Sequence, residues 1–409
     1  MTGKAGVLKG DLLERRFARA EFAEGSLVRV RHPVTHLVAG RTRTVTDVDV
    51  LSIDFDARLR PHIGISECKS TRGQSGEQDR LLWLKGLQTL VAADRATLVR
   101  ETVTEAGRYV ARRIDVDLIG TAELTRREQV LQHLPEHFGV IGDTPFKEQS
   151  TDADRQLKKI GDLPSGLVAF LRHDALLAAP HRTLGALITL DEIMRAGTVL
   201  PAPLAPLLAG HALQALIAAA LRAGGRTDTV GSDGTRQEIE HGLGTGDPHD
   251  RQLLRVAEMA DTLLRQELAA LHQAYRSSGA SAIERSVPSV RSAISQTPAW
   301  LATFMDLSER LRRRSPIARH LPQTIDLAVF DALVGGDSWQ APAFDHLFSL
   351  EHRQALTIAV TCVDRAVPAL APYLAPVLDL PFNRTRTSAL GKEEAASALN
   401  DAPHSPADG

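Results

Sequence analysis

Apolar positions in the first 120 residues switch repeatedly between two periods. From Asp11 to Ala23, Leu12, Leu13, Phe17 and Ala20 recur at helical spacing while Arg15, Arg16 and Arg19 fall elsewhere on the turn. An amphipathic helix stopped at Gly25 is predicted there. The spacing then shortens to two, and Leu27–Arg31, Thr44–Ile53 and Ile63–Lys69 read as three strands. Asp54, Asp56 and Pro61 place a turn between the second and third, and Ser70–Gly76 reads as a loop. Leu81, Leu82, Leu84, Leu87, Leu90 and Val91 return to a period of 3.6, predicting a helix. A short strand at Ala96–Val99, a helix at Glu105–Arg113 and a strand at Val116–Ile119 complete the stretch. The pattern predicts an α/β domain over residues 1–120.

Beyond Thr121 the strand signals thin out. Helical spacing over Leu124–Leu134, Leu184–Ala196, Pro206–Arg222, Gln252–His272, Ala299–Arg313, Leu327–Leu333, Glu351–Val363 and Ala369–Leu378 predicts a mostly α-helical region over 121–382. Gly, Asp, Thr and Ser dominate Gly224–Asp250, so a flexible loop is expected over 223–250. Residues 383–409 read as a disordered tail.

Composition narrows the partners. The formal charge is −2 overall, but residues 1–120 hold 20 Lys and Arg against 16 Asp and Glu, a net of +4. A positive module suits a polyanion. Two cysteines, Cys68 and Cys362, exclude a disulfide framework and a paired-CxxC zinc site. Met1–Gly10 lacks the apolar core of a signal peptide. The most apolar stretch, Leu200–Leu221, contains Pro201, Pro203, Pro206, His211 and Gln214, which favours a buried helix over a membrane span. A soluble, cytoplasmic protein without a membrane partner is the expectation.

The candidate chemistry lies on the second and third predicted strands. Side chains two apart on a strand share a face, so Asp47 and Asp49 point one way, and so do Glu67 and Lys69. If the strands pair, carboxylates and one ammonium meet in a small volume. Such acids repel one another unless a cation joins them, and a divalent ion held by their oxygens can activate water against a phosphodiester. The plainer alternative is a set of strand-end acids in solvent or paired with arginines.

These residues resemble the PD-(D/E)XK nuclease superfamily. Asp49 matches the motif aspartate, Glu67-Cys68-Lys69 matches the (D/E)-x-K triplet, and Glu14 on the first helix is similar to the acid that many members carry before the first core strand. No proline precedes Asp49, a departure from the motif that divergent members share. The resemblance spans the first third of the chain. It implies a restriction-endonuclease-like mixed sheet flanked by helices, in the order α-β-β-β-α-β. It also implies Mg2+, with Mn2+ as a substitute, held by Asp49 and Glu67, with Asp47 as a further candidate ligand. Lys69 would orient or deprotonate the attacking water, and the expected reaction is phosphodiester hydrolysis, with DNA as the substrate. Lys85, on the helix after the third strand, and Arg72 and Arg80, which flank the start of that helix, are candidate phosphate contacts. The helical region is left to select substrate, hold a homodimer together or bind a protein partner, and by analogy the arrangement suits restriction or anti-phage defence. The competing expectation is a catalytically inactive nucleic-acid-binding or scaffolding protein that retains the nuclease fold.

Overall fold

Alternating apolar residues produce strands where the period-two pattern places them. A computed structural model describes residues 3–38, 41–70, 76–131, 156–157, 160, 162–201, 204–246, 251–279, 289–290 and 297–383. The front of the chain runs α1 (Gly3–Ala23), β1 (Leu27–Val38), β2 (Arg41–Phe55), β3 (Pro61–Lys69), α2 (Glu77–Val91), β4 (Arg95–Arg100), α3 (Glu105–Ile114) and β5 (Asp117–Gly120). The five strands form one sheet in sequence order. β1, β2 and β3 pair antiparallel, and β3, β4 and β5 pair parallel. The parallel pairs need crossovers, which α2 and α3 supply. The sheet is therefore mixed and flanked by helices, as expected. The helical layer runs past residue 120. α4 (Thr121–Val130) returns to α1, where Arg16 meets Glu128 at 2.6 Å and Arg127 meets Glu21 at 2.6 Å and also Glu24.

The remainder is helical: α5 (Ser165–Arg172), α6 (Pro180–Arg195), α7 (Ala205–Thr245), α8 (Arg251–Ser277), α9 (Leu301–Arg313), α10 (Ser315–Ala318), α11 (Leu321–Phe330), α12 (Leu350–Ala366) and α13 (Ala371–Leu378). The loop expected over 223–250 is corrected by α7, which continues to Thr245 with one non-helical residue, Gly231 (φ 78°). Packing overrides the poor helix propensity of this stretch. Ala223, Gly224, Gly225, Thr235 and Ile239 are buried, and Arg226 reaches across the kink to Glu238 at 2.7 Å. Residues 247–250 lie outside the described residues, as does the expected tail from 384 onward. α7 is long and apolar enough to cross a membrane, but most of its apolar window is buried inside the fold. It packs against α6, α9, α11, α12 and α13.

The two parts share one contiguous core. Gln323 on α11 donates to the Phe22 carbonyl at 2.6 Å, and the Phe22 and Phe344 rings meet edge to face at 5.5 Å. Arg29 on β1 makes a two-pronged pair with the fully buried Asp326 on α11, at 2.7 and 2.9 Å. α7 also touches the β2–β3 turn. A Cβ at Gly225 would lie 2.7 Å from the Leu59 carbonyl oxygen and 2.9 Å from that of Arg58, both backbone atoms. Gly225→Ala is therefore expected to destabilise the protein by about 1–3 kcal/mol, beyond the ~1 kcal/mol that alanine gains in a helix. A thermal melt at or above the wild-type midpoint would contradict this contact.

Two buried imidazoles give the fold an acid limit. Burial pulls His32 down to about 4, helped by the Arg29 charge, and pulls His352 down to about 4, helped by His320. In the unfolded chain both return to about 6.5 and take up protons first. Stability is therefore complete above that pH and is lost as pH falls toward 4, by about 2 kcal/mol per histidine at pH 5. Urea midpoints measured at pH 7 and pH 5 should differ accordingly, and His32→Gln should shrink the difference. Equal midpoints at the two pH values would rule this account out.

Candidate active site

The site forms where β2 and β3 part. Their ladder ends at the pair Val50 and Ser66, while β3 continues beside β4 as far as Lys69 and Arg100. One step past that last pair, Asp49 stands across from Glu67. With no ladder partner on β2, the Cys68 amide donates instead to Asp49 Oδ2 at 2.7 Å. An unpaired amide at this depth is costly, so the carboxylate stands in for the missing strand carbonyl. That bond fixes the side chain of Asp49 at the mouth of the gap.

Lys69 joins the acids. Its Nζ lies 2.6 Å from Glu67 Oε1 and 3.4 Å from Asp49 Oδ2. The two oxygens are therefore within about 6 Å of each other, the sum of those distances. Glu67 is 4% exposed, and a carboxylate so deeply placed is normally paired. Arg80, one turn into α2, is half exposed, brings Nη1 to 3.6 Å from Glu67 Oε1 and stacks over Trp83. The start of α2 is itself pinned: the buried Glu77 meets Arg100 at 3.3 Å and accepts from Thr104 at 2.7 Å. Glu14 enters from α1, buried and bonded at 3.0 Å to Nε of Arg31, which also pairs with Asp11.

Burial is the largest influence on both glutamates. It pushes Glu67 up, the Asp49 charge adds to this, and Lys69 and Arg80 only partly offset it. It also raises Glu14, against the Arg31 hydrogen bond and with the Asp49 charge. Burial alone would lower the Lys69 ammonium, but its bonds to Glu67 and the charge of Asp49 outweigh that and hold it above its ordinary value. Lys69 is thus a cation at neutral pH, suited to orienting water and offsetting negative charge rather than to accepting a proton. Cys68, buried on the other face of the strand, has its thiol pushed far up by burial and packs as a small hydrophobe.

The structure brings Asp49, Glu67, Lys69, Glu14 and Arg80 together. Asp47 is exposed, stands across from Pro33 and makes no bond to the cluster. Lys85 is occupied with Gln88 at 3.0 Å rather than with the acids. Arg72 lies outside the described residues. Asp56 sits in the β2–β3 turn, accepting from the Arg58 and Arg60 amides. Arg31 was not among the residues singled out from the sequence. Its signal was the basic alternation Arg29, Arg31 on the strand that flanks the acidic one.

Among the described residues no group of three His, Cys, Asp or Glu is placed to hold a metal ion. The donor set is therefore two carboxylates with a lysine between them. Such a set still fits Mg2+, which keeps several waters and binds proteins through one or two carboxylates plus substrate phosphate. Asp49 Oδ2 is committed to Cys68 and Lys69, and Glu67 Oε1 to Lys69 and Arg80, so among the described residues each acid keeps one oxygen without such a bond. Comparison with family models, with curated proteins and with solved structures returns no match for this chain.

Proposed function

We propose that this chain is a metal-dependent phosphodiesterase of the PD-(D/E)XK kind, acting on DNA. The observation that carries the reading is Lys69 Nζ bridging Asp49 and Glu67 at the open end of the β2–β3 ladder. Added support comes from the strand order, from Glu14 arriving on the first helix, and from the positive balance of the first 120 residues. Asp49 and Glu67 would hold Mg2+, or Mn2+ in its place. The ion would polarise a phosphoryl oxygen and lower the pKa of a bound water. Lys69 orients that water and balances charge building on the phosphate. Arg80, stacked and forked, grips a neighbouring phosphate.

A second reading has its own support. Lys69 and Arg80 already pair with the two acids, and among the described residues no third ligand is gathered. A nucleic-acid-binding or scaffolding protein that keeps the fold without the chemistry fits those facts. Purified protein incubated with Mg2+ or Mn2+ and with plasmid DNA, linear duplex, single-stranded DNA and RNA separates the two. Cutting that EDTA abolishes supports the enzyme, and cutting of RNA alone would change the substrate. No cutting of any substrate, even with Mn2+, supports the scaffold. A defence role and a partner for the helical region remain part of this proposal by analogy alone.

A further inference from the structure

Arg31 has a backbone conformation that local structure does not demand. Four non-glycine residues among those described have φ in the left-handed region: Arg31 (54°), Leu59 (59°), Ala92 (52°) and Asp115 (55°). Leu59 lies in the β2–β3 turn, and Ala92 and Asp115 cap the ends of α2 and α3, where this conformation is common. Arg31 lies inside a strand. The β1–β2 ladder pairs Val30 with Val50 and His32 with Val48, and skips the position between them. The skipped position is the one across from Asp49. Strained residues of this type persist where the surroundings over-determine them, and they cluster at sites that contact ligands.

The side chain strengthens the point. Arg31 is 52% exposed and spends its guanidinium on Glu14 and Asp11, two acids of α1. Lys69 and Arg80, by contrast, are bonded to the Asp49–Glu67 pair itself. Arg31 is thus a cation beside the cluster whose release leaves both proposed metal ligands paired. Its planar fork fits phosphate oxygens as well as it fits carboxylates. We infer that Arg31 is a phosphate-binding residue of this site, held by Glu14 and Asp11 in the free protein and handed to a substrate phosphodiester on binding. The inference rests on the nuclease reading and deepens it.

The test is DNA affinity of the full chain, read by fluorescence anisotropy of a labelled duplex in EDTA over a range of salt. Arg31→Ala should weaken binding about tenfold and lower the slope of log K against log salt by about 0.9, one phosphate contact. Glu14→Ala should move affinity the other way or leave it unchanged, because a competing carboxylate is gone. Arg31→Gly loses the same ion pairs as Arg31→Ala but accepts the left-handed φ without strain, so it should melt above Arg31→Ala and yet bind as weakly. If Arg31 only props Glu14, the Arg31→Ala and Glu14→Ala variants will weaken binding together with an unchanged salt slope, and the inference is overturned. Arg31→Gly that binds as wild type also overturns it, while leaving the nuclease reading intact. Wild-type protein that binds no DNA at any salt defeats that reading and this inference with it.

Discussion

Replacing Glu67 by Gln or Asp49 by Asn is expected to lower magnesium-dependent DNA cleavage by about a thousandfold while leaving DNA binding in place. Each substitution keeps the side-chain shape and removes one formal charge from the pair that Lys69 bridges. The loss should fall on the chemical step, so kcat drops far more than KM rises. Lys69→Ala should behave similarly, with less effect on metal affinity than the loss of either acid. The check is plasmid nicking with Mg2+ and then Mn2+, alongside anisotropy in EDTA. Cutting at the wild-type rate by Glu67→Gln would remove these residues from the mechanism even if the enzyme is real. Loss of binding with loss of cutting would point to damaged folding at the end of β3.

The second large effect concerns the joint between sheet and helices. Asp326→Ala is expected to cost about 3–5 kcal/mol of folding stability, because it strands the Arg29 guanidinium without its partner. Asp326 is fully enclosed, and both of its oxygens are taken by Arg29. Burial raises its pKa, and Arg29 only partly counters this. The double variant Arg29→Met, Asp326→Leu should recover much of the loss, since a well-packed apolar pair replaces a charge pair at little net cost. Urea unfolding of the two singles and the double decides the matter. A single variant within about 0.5 kcal/mol of wild type, the usual range for surface changes, would show that the pair does little.

The strands carrying the acids were legible because alternation is short-range and local. β3 was expected from Ile63 and begins at Pro61, and β2 was expected over Thr44–Ile53 and spans Arg41–Phe55. β1 was read to stop at Arg31 but continues to Val38. The left-handed turn of Arg31 and the following Pro33 break the alternation while the chain stays paired with β2. The α7 extension was hidden for a different reason. Residues 223–245 have the composition of a loop, and they are helical because glycines fit against the β2–β3 turn, a contact between positions far apart in sequence. The meeting of Asp49 with Glu67 followed from strand neighbourhood. The exclusion of Asp47 did not, because a shared face says nothing about how far a side chain lies from the end of the ladder.

The seam between the sheet and the helical body has a practical corollary. Phe22, Leu59 and Arg29 owe their enclosure to side chains and backbone contributed from beyond residue 200. A fragment trimmed at residue 130 would present a large ring, an aliphatic turn and an orphaned cation to water. Such a fragment invites self-association. The sheet-bearing half of this molecule is not a detachable cassette, and the proposed chemistry has to be assayed with the helical body attached.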